Sequence, residues 1–214
     1  ERLVLTVRKN YRPVPYHNFI HASTVTHSMY TYLKKPAAGN MFDKLEVHCM
    51  MVACLCHDID HRGTNNAFQM TAATPLHDLY GSTSVLEHHH YSQTMMILLS
   101  PGCNIFDALE DKEYKRVTNV MREAILATDL SNFFGNAKRF KALVEEGKLN
   151  TRDEEHRKLL LSVVMNACDL SHATKPWAQH HAVSLRLYDE FLAQGDVEKA
   201  KGMKPMAMMD RDNF

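Results

Sequence analysis

The chain has 214 residues, 45% of them hydrophobic and 23% charged, enough to bury the core of one globular domain. Twenty-five Lys and Arg balance twenty-five Asp and Glu, which excludes the basic field that nucleic acid or an anionic membrane surface would select. No apolar run reaches the roughly 20 residues of a membrane span and no signal segment opens the chain, so a cytoplasmic protein is expected, with any membrane attachment outside these residues. The apolar stretch Leu3, Val4, Leu5, Val7 reads as the tail of a helix already under way, and with no initiator Met the chain is expected to be a piece of something longer.

Start and stop signals then divide the chain into helices, with almost no alternating pattern for strands, so the expected class is all-α. After Pro13 and Pro15, a helix is predicted from about His17 to Lys34, ending before Pro36. Asp43 with Glu46 forms a capping box ahead of the apolar run Val47 to Cys56. Ser84 with Glu87 repeats that signal for a helix to Leu99, which Pro101-Gly102 closes. Further helices are predicted over about 112–127 and 136–146, the second capped by Gly147. Thr151 with Glu154 opens one running through Leu159 to Cys168, and Trp177 to Ala193 and Val197 to Lys201 follow as two separate helices.

Cys49, Cys54, Cys56, Cys103 and Cys168 are odd in number and lie mostly in apolar helical runs, which fits reduced, buried thiols. No Cys-x-x-Cys spacing suggests a thiolate zinc module, so the metal question passes to the fourteen histidines. His57-Asp58, with Asp60 and His61 just behind, stands where an apolar helix runs out. Imidazole and carboxylate are the ligands that a borderline or hard divalent cation accepts. Taken alone, the dipeptide is better read as a His-Asp pair decorating a helix end. The rest of the chain changes that balance. His17 and His21, four apart, would project from one helix face, one suited to metal and the other to substrate. Asp169 ends an apolar run where a carboxylate is costly to bury unless it is paired or binds metal.

Tyr16-His17-Asn18-x-x-His21-Ala22, His57-Asp58-x-Asp60-His61, Glu87 before His88-His89-His90, Ala127-Thr128-Asp129, and Asp169-Leu170-Ser171 with Thr174-Lys175 together resemble the class I cyclic-nucleotide phosphodiesterases. The resemblance covers nearly the whole chain. Arg62-Gly63-Thr64-Asn65-Asn66 and Cys103-Asn104-Ile105-Phe106 are similar to the branch that carries GAF domains. The stretch from Gln194-Gly195-Asp196 to Met208-Met209-Asp210-Arg211 is most similar to its cGMP-stimulated, dual-specificity type.

The resemblance implies a compact multi-helix bundle of the His-Asp metal-dependent phosphohydrolase type that hydrolyses 3′,5′-cyclic nucleotides, cAMP and/or cGMP, to 5′-monophosphates. It makes His21, His57, Asp58 and Asp169 ligands of a zinc ion. Asp58 would bridge to a second ion, magnesium with manganese as its alternative, whose waters His61, Glu87 and Thr128 would hold. A metal-bridging hydroxide would attack phosphorus while protonated His17 donates to the departing 3′ oxygen as general acid, with Tyr16 packed beside it. His172 falls where the family often has Asn, Asp or Ala near the purine. Its two ring nitrogens can donate or accept, so it says little about adenine against guanine. No metal is assigned to His88, His89 or His90.

Family members continue through a glutamine that grips the purine edge and a phenylalanine that stacks on it, and Phe214 is not in the stacking position. Residues 1–214 are therefore expected to be a partial catalytic domain, lacking the N-terminal helices and the purine clamp, with a small-molecule cyclic nucleotide as partner and any homodimer formed through regions outside the chain. Rival readings are another His-Asp nucleotide phosphohydrolase or a non-catalytic nucleotide-binding fragment. The Tyr16-His17-Asn18 element weighs against the first and the four metal positions against the second.

Overall fold

A computed structural model describes residues 1–39 and 41–213, so Phe214 lies outside the described residues. The helices run α1 (Arg2–Asn10), α2 (Phe19–Leu33), α3 (Pro36–Gly39), α4 (Lys44–Cys56), α5 (Asn66–Thr71), α6 (Pro75–Tyr80), α7 (Val85–Leu98), α8 (Asp111–Leu126), α9 (Phe133–Glu145), α10 (Glu154–Asp169) and α11 (Trp177–Ala200), with short 3-10 turns between or after them. Among the described residues there is no strand, and no helix is long and apolar enough to cross a membrane.

The core forms around α4. Its residues Cys49, Met50, Val52, Ala53, Cys54 and Cys56 are all buried, as expected of a helix that is apolar on every side. One cluster packs Cys49, Val52 and Cys56 against Val7 of α1, Ile97 of α7 and Met121 of α8. The other packs Met50, Ala53 and Cys54 against Met29 of α2, Ile125 of α8 and Met165 of α10. The Asp43–Glu46 capping box forms at the start of α4 as predicted. All five cysteines are buried and free. Because α4 is held on both sides, the residues at its C-terminal end emerge at a fixed place, and those residues are His57 and Asp58.

Several predicted boundaries change. His17 precedes α2 and is not on it, because Asn18 takes the N-cap, its Oδ1 accepting from the backbone N–H groups of Ile20 and His21. The i, i+4 relation of His17 and His21 on one helix face is thereby corrected. Ser84 does not cap α7: it adopts a left-handed φ of 47° and donates its hydroxyl to Asp129 Oδ2 at 2.6 Å. Asp153 caps α10 in place of Thr151, accepting from the His156 N–H. The helix predicted over 136–146 is α9, which begins earlier, at Phe133. Gly147 closes it as expected, with φ of 63° and a Lys148 N–H bond to the Leu143 carbonyl.

The two predicted C-terminal helices are one, α11, unbroken through Gln194-Gly195-Asp196. Gly195 serves a close approach there: a Cβ at this position would lie 1.8 Å from the Met209 carbonyl oxygen. Lys199 holds Asp210 and Asp212 of the same segment, and Arg211 Nε donates to Asp196 Oδ2 at 2.8 Å. Ala for Gly inside a helix ordinarily adds about 1 kcal/mol of stability. Gly195→Ala should instead lose about 1–3 kcal/mol by overpacking. Thermal unfolding checks this, and a raised Tm would show that the Met209 segment gives way freely.

Candidate metal centre

Three helix ends meet at one point. His21 sits in the first turn of α2, His57 and Asp58 follow the last turn of α4, and Asp169 is the last residue of α10. His21 Nε2 lies 2.9 Å from Asp169 Oδ1 and 3.3 Å from Asp58 Oδ2, and His57 Nε2 lies 3.2 Å and 3.1 Å from the same two oxygens. The Nδ1–H of His57 donates to the Cys54 carbonyl at 2.9 Å, which leaves Nε2 of the neutral ring a lone pair aimed at the carboxylates. His21 Nε2 is buried without an aligned hydrogen-bond partner despite its short distances.

Lone pairs facing lone pairs repel unless a proton or a cation sits between them. Burial would lower the His57 pKa, but the Asp58 and Asp169 carboxylates outweigh it and raise it well above the ordinary value. Burial would likewise raise both carboxyl groups, and the facing imidazoles instead hold them low. The set thus demands positive charge. One divalent ion would balance the two carboxylates and leave both rings neutral, so these residues fit a metal.

Beside this centre opens a cavity of about 360 Å³, lined by His17, Asp58, His61, Glu87, Thr128 and Asp169 among others. Asp58 and Asp169 therefore share one chamber with His61, Glu87, Thr128 and His17. The Gly63 N–H donates to His61 Nδ1 at 3.0 Å, so a neutral His61 carries its proton on Nε2. Burial and the neighbouring His17 hold the His61 pKa well down. Burial pushes Glu87 up to about 7, although the Asn66 amide donates to its Oε2 at 2.9 Å. The Thr128 hydroxyl donates to the Ile125 carbonyl at 2.7 Å, which leaves its lone pairs to accept.

Glu190 of α11 was not singled out by the sequence, yet it holds His17 in place. Its Oε2 accepts from the N–H groups of Tyr16 and His17 at 2.9 and 3.1 Å, and its Oε1 contacts His17 Nδ1. The available signal was the polar row Glu190, Gln194, Glu198 at four-residue spacing, all of them buried. His17, His61 and Glu190 also lie close enough to hold a metal. Glu190 Oε2 and His61 Nδ1 already accept from backbone N–H groups and Glu190 Oε1 is paired with His17 Nδ1, so the His21, His57, Asp58 and Asp169 set is the better fit.

Tyr16 is buried, its ring 4.7 Å from His17 and 4.6 Å from His21. His172 is not part of the 360 Å³ cavity lining. It lines a small cleft of about 50 Å³ behind Tyr16 and Asp169, its Nδ1 3.3 Å from His180 Nδ1. Burial, together with His180, lowers its pKa. Within the histidine run, His89 pairs with Asp60 at 2.8 Å and His90 donates Nδ1–H to the Ile59 carbonyl, so both brace the loop that carries Asp58.

Residues 16–214 match the family described as 3′5′-cyclic nucleotide phosphodiesterase. The chain is 48% identical over 212 residues to a "cGMP-specific 3′,5′-cyclic phosphodiesterase" of Drosophila virilis, covering 99% of this chain and 24% of that protein. The similarly named protein of Drosophila melanogaster is also 48% identical over 212 residues, and there the chain covers 19%. The chain therefore spans a quarter or less of the length of these relatives. The solved structure of LmjPDEB1 in complex with IBMX superposes with a TM-score of 0.92 at 34% identity, covering 99% of this chain and 64% of that one.

Proposed function

The chain belongs to the 3′5′-cyclic nucleotide phosphodiesterase family, and on that premise we propose that it cuts the 3′ ester bond of cAMP, cGMP or both to release the 5′-monophosphate. The observation that carries the reading is the meeting of His21, His57, Asp58 and Asp169 at one point beside a cavity that also holds His17. The names of the curated relatives favour cGMP.

We assign zinc to His21, His57, Asp58 and Asp169, and magnesium or manganese to a second position next to Asp58. When bound, the ions neutralise the phosphate and supply a nucleophilic water at neutral pH. The protein's own groups do the rest. His61 can donate Nε2–H to a water, while Glu87 and the Thr128 lone pairs accept from one. His17 is held at Nδ1 by Glu190, so its other nitrogen can present a proton to the cavity. The water oxygen adds to phosphorus and releases a proton, the bond from phosphorus to the 3′ oxygen breaks, the His17 proton passes to the 3′ oxygen, and His17 regains a proton from solvent before the next turnover. Tyr16 backs the acid, and His172 would meet the base only from the small cleft on its side.

Residues 1–214 form part of a cytoplasmic catalytic domain whose base clamp, like any dimer contact, lies outside them. Metal content measured together with turnover of cAMP and cGMP tests it. Stoichiometric zinc with magnesium-dependent release of the 5′-monophosphate is expected. Bound iron, with phosphate released from nucleoside triphosphates, would favour a different His-Asp phosphohydrolase, and nucleotide binding without turnover a non-catalytic module.

A further inference from the structure

Glu87 can hold water at a second ion only if its carboxylate is fixed, and beyond its own backbone N–H that support comes from outside its helix. Ser84, the residue before α7, gives its hydroxyl to Asp129 and leaves the first turn of the helix without a side-chain cap. The side chain of Asn66, from the start of α5, fills both gaps. Its Oδ1 accepts from the Leu86 N–H at 2.9 Å, and its Nδ2 donates to Glu87 Oε2 at 2.9 Å. Asn66 and Glu87 line the same cavity.

The segment that carries Asn66 is itself pinned to α11. The Asn65 N–H donates to Gln194 Oε1 at 2.9 Å, and Gln194 Nε2 donates to Asn65 Oδ1 at 3.1 Å and to Glu198 Oε1 at 2.8 Å. Gln194 and Glu198 are buried at 3% and 7% exposure, so this clamp works away from solvent.

We propose that Asn66 is a positioning residue that fixes Glu87 through Oε2, leaving Oε1 for the waters of the second ion, and that Gln194 holds Asn66 in place through Asn65. This rests on the two-ion reading of the site. A carboxylate that wanders loses water-mediated grip on an ion, and removing partners that orient metal-site groups typically weakens metal binding about 10- to 100-fold.

Asn66→Asp separates this role from helix capping. Aspartate keeps an oxygen for the Leu86 N–H and suits a helix N-terminus. It replaces the donor to Glu87 with an acceptor of like charge. Zinc content should therefore match the parent, while Tm falls because two carboxylates now face each other. The Mn²⁺ affinity of the second position, titrated by electron paramagnetic resonance, should fall about tenfold or more, and the Mg²⁺ activation constant should rise by the same factor. Gln194→Leu, which acts on Glu87 only through Asn65 and Asn66, should shift both in the same direction by less. If Asn66→Asp binds Mn²⁺ as the parent does, Asn66 is a helix cap only and the proposal falls. If the parent itself binds neither zinc nor Mn²⁺, the two-ion reading fails first and takes the proposal with it.

Discussion

Asp169→Ala should yield protein that purifies without its tightly bound metal and without measurable cyclic-nucleotide turnover. Asp169 Oδ1 is one of the two carboxylate oxygens shared by both imidazoles, 2.9 Å from His21 Nε2 and 3.2 Å from His57 Nε2. Its loss removes one anionic donor and half of the negative charge that offsets a divalent ion at the site. Groups that only orient ligands already cost about 10- to 100-fold in affinity when removed, so a direct ligand should cost more. Stability should also suffer, because the charge opposite the two buried rings is reduced. Breaking a buried pair costs about 3–5 kcal/mol when the remaining charge stays uncompensated, and here Asp58 compensates in part. Elemental analysis after gel filtration decides the matter: zinc retained at the parent level would remove Asp169 from the ligand set.

His17→Ala should do the opposite, keeping the metal and lowering kcat about 10²- to 10⁴-fold, the usual worth of a general acid. Glu190→Gln should approach the same loss by another route. Two backbone N–H groups fill one oxygen of Glu190, so a glutamine would keep its carbonyl there and turn its NH₂ toward His17 Nδ1. Nδ1 would then have to accept, and a ring that accepts at Nδ1 cannot also carry the second proton of the imidazolium. Because both substitutions disable one proton transfer, the double variant should be little worse than either single one. Kinetics of all three with metal content in parallel provide the check. Losses that multiply in the double variant would separate Glu190 from the acid.

What was legible in the sequence was local. The α4 run and its Asp43–Glu46 box could be read because the signal lies within a few residues. The His57-Asp58 pair stood out at the end of that run, and the ordered motifs drew His21 and Asp169 to it. The misplaced cap of α10 and the start of α2 were settled by local bonds of Asp153 and Asn18, but other misreadings came from tertiary contact overriding local pattern. Ser84 carries a capping signature but is recruited by Asp129, 45 residues away. Gly195 looks like a break but makes room for the Met209 backbone. Glu190 looks like a solvated helix residue, and only its 173-residue reach to His17 reveals otherwise. Asn66 and Gln194 were quoted within motifs but given no role for the same reason, since their partners lie 20 and 129 residues away.

That long reach also sets an order of events in synthesis. The three helix ends that carry the metal set are complete once Asp169 has left the ribosome, whereas Glu190 lies on α11, a further 21 residues along. On the proposed assignment, a nascent chain paused between these points would hold all four zinc ligands while His17 still lacked its Glu190 partner. Because closing a longer loop adds only slowly to the entropic cost, the delay comes from the sequence order of the parts and hardly from the length of the loop. During translation, metal capture would thus precede competence for chemistry, and a ribosome-stalled series should gain bound zinc before it gains turnover.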